Sequence, residues 1–581
     1  MKRPADQGFV AQIRLNEQGQ SQDSATVTRS GNRISMAARD LQVEVTLTGK
    51  LTVLHDTERK VAIILDGSLW CGVRGAQLLE RYQQRGMDFV GELCGSFALL
   101  LLDGAKGECW LANDRFSSRP VYVKPQGRGY SAGTIFTDLV TAEDEPDPGG
   151  VAWYLAVGVV FGGRRTVVRG ISRLPVGSRW LVKPGDDIRP EEYWRLVFTD
   201  EYAGRDRAVV RDELQELLLE TIRQTLPTDE EIVLSLSAGY DAAGIAGLLA
   251  QRKNHDNVRT FAYGLDPGAA GSDPAGAAAL AQQLGLPYRF LQTYDGDLLG
   301  ALRRNADWGE GRANFCDESL AWDQLAAEDA GKGAWLVTGE QCFGNREVLR
   351  PLHDEIMRLR LKFSLQLMPW LQQVFVPDVL AEAGGEQMAD IEWMGRRARE
   401  RSQPENLKLY LYLDQRLPNL LMPWRDSYGR RVYQLVMPWL ANDLFDFMAR
   451  LPLRWRYEKL LYIEAISGLL PEVFATPRAE YCGYAPDWMG EFASGQALVR
   501  EAFWAGGTTN RLDRVISPKA ALQQLRSSEE PSGLVGRGLR LAKRLGARMT
   551  GGSVPTLPTA GQRSVFLLRY LSLRGFFNNQ R

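Results

Sequence analysis

Histidine and cysteine are scarce in this chain. Its three histidines, His55, His255 and His353, leave little raw material for a histidine-rich metal centre or a nucleophile–histidine pair. The six cysteines, Cys71, Cys94, Cys109, Cys316, Cys342 and Cys482, are scattered without a C-x-x-C pair. That spacing fits neither a zinc site nor a disulfide frame, and it predicts reduced, mostly buried thiols in a cytoplasmic protein. No apolar run approaches the roughly twenty residues of a membrane span, and MKRPADQGFVAQIRLN carries basic residues without an apolar signal core. Neither sign of charge dominates: 70 lysines and arginines face 71 aspartates and glutamates. A nucleic-acid partner therefore has no electrostatic support, and none is expected.

What the chain does have is length and organised periodicity. Its 581 residues are enough for two or three domains, each able to bury a core. Short alternating runs such as VEVTLTGKLTVL and ECWLAND predict a strand-rich first domain, a β-sandwich, over residues 1–197. The pattern then changes. RDELQELLLETIRQTL, from Arg211, has helical spacing, and strand–helix alternation runs on through Gly344, predicting an α/β domain over 205–500 with a helical C-terminal part. Asp378 to Gln403, charged and glycine-bearing, reads as a mobile loop or an exposed helix.

Ile232 to Leu249, IVLSLSAGYDAAGIAGLL, reads as strand, small-residue turn and helix. In that turn Ser237, Ala238, Gly239 and Tyr240 let backbone amides approach an anion at a helix N-terminus, where the macrodipole favours phosphate. A carboxylate does not bind phosphate directly, so Asp241 in that place implies a divalent cation held between it and phosphate oxygens. An ordinary strand-to-helix turn is the plainer alternative.

SAGYD resembles the S-G-G-x-D-S pyrophosphate loop of the asparagine synthetase family, and further segments fall in that family's order. LCGSFALLLLDGAKGECWLANDRFSSRPVYV (from Leu93) and then YLAVGVV, GISRLPVGSRWLV and EYW (from Tyr154) are similar to its first domain and the join that follows. RTFAYGL (from Arg259) and WLVTGEQCFG (from Trp335) look like the strands after the loop. WRDSYGRRVYQLVMPWL (from Trp424) and, from Leu460, LLYIEAISGLLPEVF and RAEYCGYAPDW stand where the family has its D-R-x-S-M and closing R-x-K-x-G-F segments. The resemblance implies an N-terminal-nucleophile-hydrolase-like αββα sandwich followed by a Rossmann-like ATP-pyrophosphatase domain. It also implies a ligase that activates a carboxylate as an acyl-adenylate for attack by a nitrogen nucleophile, using ATP and Mg2+.

Carried over position by position, the resemblance assigns Ser235, Ser237, Ala238, Gly239, Tyr240 and Gly339 to binding of ATP and pyrophosphate, with the Ser237 hydroxyl and the Gly239 amide on the pyrophosphate. Leu234, Tyr263 and Gly264 would hold adenine and ribose. Asp241 and Glu340 become the metal carboxylates, although a helix-start glutamate favoured by the dipole is an equal reading of Glu340. Asp317 and Glu318 would position substrate, a charged helix cap being the plainer option. Asp426 matches an aspartate whose role is structural. The chain also departs from the pattern: Ala238 and Ala242 replace a glycine and a serine, TGEQCFG lacks the later D-E pair, and the lysine expected near RAEYCGY is absent, with Arg478 as its substitute.

In the family's glutamine-dependent members the first domain carries a cysteine nucleophile. Gln7 stands in its place, so that covalent chemistry is not expected here, and Asp66 with Gly67 keeps the frame. Without an ammonia source the nucleophile is expected to be an amine already on a small-molecule or peptide substrate, as in family branches that make β-lactams or close lasso peptides, the length favouring a peptide macrocyclase. An amidotransferase using free or partner-supplied ammonia, and a degenerate scaffold or binding protein, are the alternatives. Finally, residues 501–581 form a basic helical extension with no acid after Glu530. GLVGRGLRLAKRLGARM and SVFLLRYLSLRGFF suit a peripheral membrane contact, or docking of a precursor or leader peptide or a partner protein, or a helix packed on the synthetase domain.

Overall fold

The structure, a computed structural model, describes residues 7–15, 25–38, 41–183, 187–252, 256–340, 342–343, 368–475, 479–504, 510–526 and 558–579. Among these residues the strands form three sheets. The first domain holds a seven-stranded and a six-stranded sheet, both antiparallel throughout. Strand Leu41–Thr48 alternates buried and exposed along its length, so Leu41, Val43, Val45 and Leu47 meet Ala62, Ile64, Leu100 and Leu102 of the facing sheet. The outer face of the six-stranded sheet is covered by Gln77–Arg85 and the 3-10 turn after it. Helix Pro148–Val157 packs beside Tyr122 and Phe136 on the other side, completing the αββα arrangement.

The second domain is a five-stranded parallel sheet in the order Tyr288–Gln292, Val258–Gly264, Ile232–Ser235, Trp335–Val337, Gln434–Val436. The loop strand is central because its β-branched run is apolar on both faces, as a parallel strand between helix layers must be. Helix Arg207–Thr225, capped by Asp206, leads into it as the periodicity predicts.

Two expectations are corrected. Residues 378–403 are no mobile or exposed segment: Pro377–Arg401 is a 25-residue helix. Its Ala383, Gly384, Gln387, Ile391, Met394, Gly395 and Ala398 are buried at helical spacing, and the helix packs on Pro148–Val157. The charge on that face is paired, since Asp390 accepts from Trp153 Nε1 at 2.9 Å and from Arg165 Nε at 3.1 Å. The boundary at residue 500 likewise falls inside helix Trp488–Trp504. SVFLLRYLSLRGFF lies in helix Ala560–Asn579, where Phe566, Leu567, Tyr570, Leu571, Leu573 and Phe576 are buried against Leu298–Gly309 and Trp488–Trp504. Its arginines serve the interior, Arg569 donating to the Leu155 and Ala156 carbonyls and Arg574 pairing with Asp513. GLVGRGLRLAKRLGARM lies outside the described residues. Among the described residues no helix is long and apolar enough to cross a membrane.

Candidate active site

The central strand ends at Ser235 and delivers the chain to Ser237, Ala238 and Gly239 ahead of the loop helix Tyr240–Ala250. Gly239, in extended backbone at φ −74°, is the N-cap and brings no side chain to bond the first-turn amides. The positive end of the helix thus faces the turn. Gly239 N–H donates to Ser237 Oγ at 3.3 Å, and Ala238 N–H donates to Asp273 Oδ1 at 2.9 Å. Burial pushes the Asp273 carboxyl up while the Ala238 amide pulls it back. An anion entering the loop competes with Asp273 for that amide.

Asp241 is fixed from two sides. Its carbonyl accepts from Trp439 Nε1 at 3.1 Å, and its Oδ2 accepts from Lys459 Nζ at 2.7 Å. Burial raises the Asp241 carboxyl, Lys459 opposes that shift, and the negative charge of Glu340 adds to it. Lys459 and Glu458 before it are successive non-glycine residues in the left-handed region, at φ 61° and 49°. Such backbone costs of order 1 kcal/mol or more per residue, and here it aims the ammonium at Asp241 before helix Leu460–Leu469 begins. Three residues on, Tyr462 donates to the Tyr240 carbonyl at 3.3 Å.

Glu340 follows strand Trp335–Val337, the neighbour of the loop strand. Gly339 brings the two segments together: a Cβ there would lie 3.0 Å from the Ala242 backbone nitrogen. Arg425 donates to Glu340 Oε1 through Nε at 2.8 Å and approaches it through Nη2 at 2.6 Å. The other oxygen of each carboxylate, Asp241 Oδ1 and Glu340 Oε2, is buried and accepts no hydrogen bond. Buried acceptors are normally satisfied, so these two oxygens, with the Tyr462 hydroxyl the other donor facing the Asp241 carboxyl, leave room for a cation. Among the described residues no group of three or more histidines, cysteines or acids could hold a metal alone. The pair instead fits Mg2+, which is bound through one or two carboxylates with phosphate oxygens and water completing its shell.

The predicted adenosine residues separate. Leu234 is fully buried in the ladder between Thr260 and Val337, whereas Gly264 closes its strand against Pro274 and the Gly483 carbonyl. Ser235 pairs with Phe261, and Tyr263 sets its ring edge-on to Tyr484 at 5.9 Å. Glu318 occupies the N-cap position of Ser319–Asp329 without capping it. Its charge is felt by Tyr263, Tyr484 and Arg425 instead, and its Oε2 accepts from Cys316 Sγ at 3.1 Å. Asp317 accepts from Trp488 Nε1 at 2.7 Å, and burial, with the charge of Glu318, pushes its carboxyl up to about 7. Glu318 therefore borders the same cluster as Glu340, through Arg425, and Asp317 is its neighbour in sequence.

Arg478 lies outside the described residues. Among the described residues the cation beside Asp241 is Lys459, which stands in Y-E-K-L-L-Y at the start of helix Leu460–Leu469, and sequence reasoning passed over it. Arg425, beside the singled-out Asp426, and Asp273 were missed likewise. Asp426 is structural, as expected: it is buried and paired with Arg119 at 2.8 Å, with Arg312 and with Arg430 at 3.8 Å, which together hold its carboxyl far below the usual range against the cost of burial. Asp66 shares this cluster, accepting from Arg119 Nε at 2.7 Å, from Thr134 Oγ1 at 2.5 Å and from Arg430. Gly67 beside it has φ 133°, and a Cβ there would meet the Ser96 carbonyl at 2.0 Å. At Gln7 the cluster borders a charged cavity of about 60 Å³.

A parallel sheet whose central strand opens into a helix N-terminus, with paired carboxylates and a lysine at its C-terminal edge, defines an ATP-pyrophosphatase type of α/β domain behind an αββα sandwich. The comparisons place it: residues 213–503, half of the chain, match the asparagine synthase family, and the protein belongs to that family. Residues 75–194 match a glutamine amidotransferase domain. The chain is 24% identical over 203 residues to Amidase chry2 of Gibberella zeae, covering 34% of this chain and 30% of that protein. It is 20% identical over 307 residues to Amidase chyE of Penicillium rubens, covering 46% and 44%. With Asparagine synthetase B [glutamine-hydrolyzing] of Escherichia coli K12 it shares 26% over 190 residues, covering 32% and 29%. The chain thus spans less than half the length of these curated relatives.

Proposed function

We propose that the protein is an ATP-dependent ligase that activates a carboxylate and joins it to an amine borne by its substrate, with peptide macrocyclisation of the lasso type as the specific reaction. The observation that carries this reading is the orphan pair, Asp241 Oδ1 and Glu340 Oε2, beside Lys459 at an open helix N-terminus. These two carboxylates would hold Mg2+, which when bound neutralises charge on the triphosphate. Family membership supports the use of ATP.

The protein's own groups do the rest. Ser237 Oγ and the Gly239 amide offer donors to the departing pyrophosphate, and Lys459 faces the negative charge that develops as the carboxylate attacks phosphorus. Asp317 and Glu318 suit a cationic amine, and Asp317, close to half-ionised near neutrality, can take its proton. An amine held beside its own activated carboxyl gains a large effective molarity, so no ammonia channel is needed. The first domain supports that economy. Among the described residues no cysteine lines the cavity at Gln7, the Gln7 carbonyl accepts from Arg119, and the Thr134 hydroxyl is committed to Asp66.

The amidotransferase reading keeps one observation in its favour, the glutamine amidotransferase match over 75–194. Pyrophosphate release separates the readings. Peptides carrying both a free amine and a side-chain carboxylate should support release and lose one water in mass. Release with aspartate and ammonium but with no peptide would favour the amidotransferase, and no release with any carboxylate, together with no ATP binding, would leave a scaffold.

A further inference from the structure

Strands Val61–Cys71 and Cys94–Asp103 pair in register from Val61 opposite Asp103 to Leu69 opposite Gly95, and then slip. Cys71 stands opposite Cys94, and Trp70 is the extra residue of a β-bulge. The bulge has a cause on its other side. Trp70 Nε1 and Ser68 Oγ both donate to the Leu435 carbonyl at 2.8 Å, seating the strand on the outer edge of the synthetase sheet. By consuming Trp70 in this way, the slip turns Cys71 toward Cys94. Directly opposed residues of an antiparallel pair have Cα atoms about 4.5–5.5 Å apart, inside the roughly 4.4–6.8 Å that a disulfide spans.

Both thiols are free, and they are unequal. Cys71 is half-buried, whereas Cys94 is 4% exposed. The Cys94 S–H, assisted by Arg74 and opposed by burial and Asp443, holds the Cys71 thiol below its ordinary value. Cys94 is pushed well up by the same partner and by burial. Both line a cavity of about 180 Å³ against Thr221 and Thr225 of the entry helix and Asn442, whose Nδ2 donates to the Leu93 carbonyl at 3.1 Å. A reachable thiol of lowered pKa beside a resolving thiol is the usual form of a redox-sensing pair.

We propose that Cys71 and Cys94 form a reversible dithiol modification site whose oxidant is a small peroxide. The Cys71 thiolate attacks one oxygen of hydrogen peroxide, the O–O bond breaks, and the leaving hydroxide takes a proton to become water. Cys94 gives up its proton and attacks the sulfur of the Cys71 sulfenic acid, expelling its oxygen as a second water. Two thiols are oxidised to one disulfide while one peroxide is reduced to two waters. The bond locks the bulge that seats Trp70 on the synthetase sheet, and a dithiol reductant reverses it.

The test is a peptide map of the full chain, treated with dilute hydrogen peroxide and then alkylated in denaturant. The expected result is loss of alkylation at two of the six cysteines, recovered as a linked Cys71–Cys94 peptide that dithiothreitol releases. In Cys94→Ser the linked peptide disappears and dimedone labels Cys71, while in Cys71→Ser the Cys94 thiol stays reduced. Free alkylation of both Cys71 and Cys94 at a peroxide dose that oxidises the exposed Cys482 overturns the proposal, as does a Cys71 disulfide to any other cysteine. The wild-type map decides even if a variant folds poorly.

Discussion

Two buried charge clusters lie on either side of one peptide bond, and they are finished differently. Asp426 belongs to the cluster at the domain seam, where all four oxygens of Asp66 and Asp426 are engaged by Arg119, Arg312, Arg430 or Thr134. Arg425, the residue before it, belongs to the cluster at the loop, where Asp241 and Glu340 each keep one oxygen without a donor. Burying a charge is costly unless it is paired, so a saturated cluster supports the fold and an unsaturated one is held ready for a ligand. That contrast is why we assign the seam to architecture and the loop to chemistry.

The contrast can be broken from either side. Arg119→Ala removes the shared cation of Asp66 and Asp426 and should cost about 3–5 kcal/mol in urea unfolding. An unchanged midpoint would mean that the seam is not what joins the domains. Lys459→Met, at the loop, should leave the fold in place but slow pyrophosphate release by about a hundredfold or more, the scale of a lost electrostatic stabiliser. Equal losses of stability in the two variants would erase the distinction between the clusters.

Asp317→Asn sharpens it through pH. The Asp317 carboxyl is raised to about 7, so the folded protein holds a proton that the unfolded chain has released above about pH 4. Its contribution to stability therefore falls as pH rises from about 4 to about 7 and is flat beyond. The asparagine variant should gain about 1–2 kcal/mol on the wild type between pH 5 and pH 8, after allowing for partial exposure. Urea midpoints at the two pH values check the sign. The smallest effect is expected of Gly339→Ala, about 1 kcal/mol, because its Cβ presses on the Ala242 nitrogen and the loop can yield by a few tenths of an ångström.

The order of the two domains and the strand–turn–helix of the loop were legible because they are local. Alternation marks the sandwich strands, and a β-branched run before Ser237–Gly239 marks the turn. What escaped is long-range or masked by composition. Lys459 lies 218 residues from Asp241, and no spacing rule joins them. Pro377–Arg401 carries three glycines and many charges, which argue locally against a buried helix. Yet Gly384 and Gly395 face inward, and its one buried carboxylate finds Trp153 and Arg165 far along the chain. Of the readings open to SVFLLRYLSLRGFF, the packed helix is the one seen: its near-continuous apolar run 566–571 is buried in the core rather than laid on a surface. The Cys71–Cys94 pair was hidden because a bulge, not sequence spacing, creates it.

The central claim is that the orphan oxygens of Asp241 and Glu340 await a cation bound with ATP. Calorimetric titration with ATP, with and without Mg2+, on the wild type and on Asp241→Asn tests it most directly. The account predicts Mg2+-dependent binding in the wild type that weakens at least about tenfold in the variant, a loss of about 1.4 kcal/mol. Binding of equal strength in both proteins, or none in either at millimolar ATP, would contradict it.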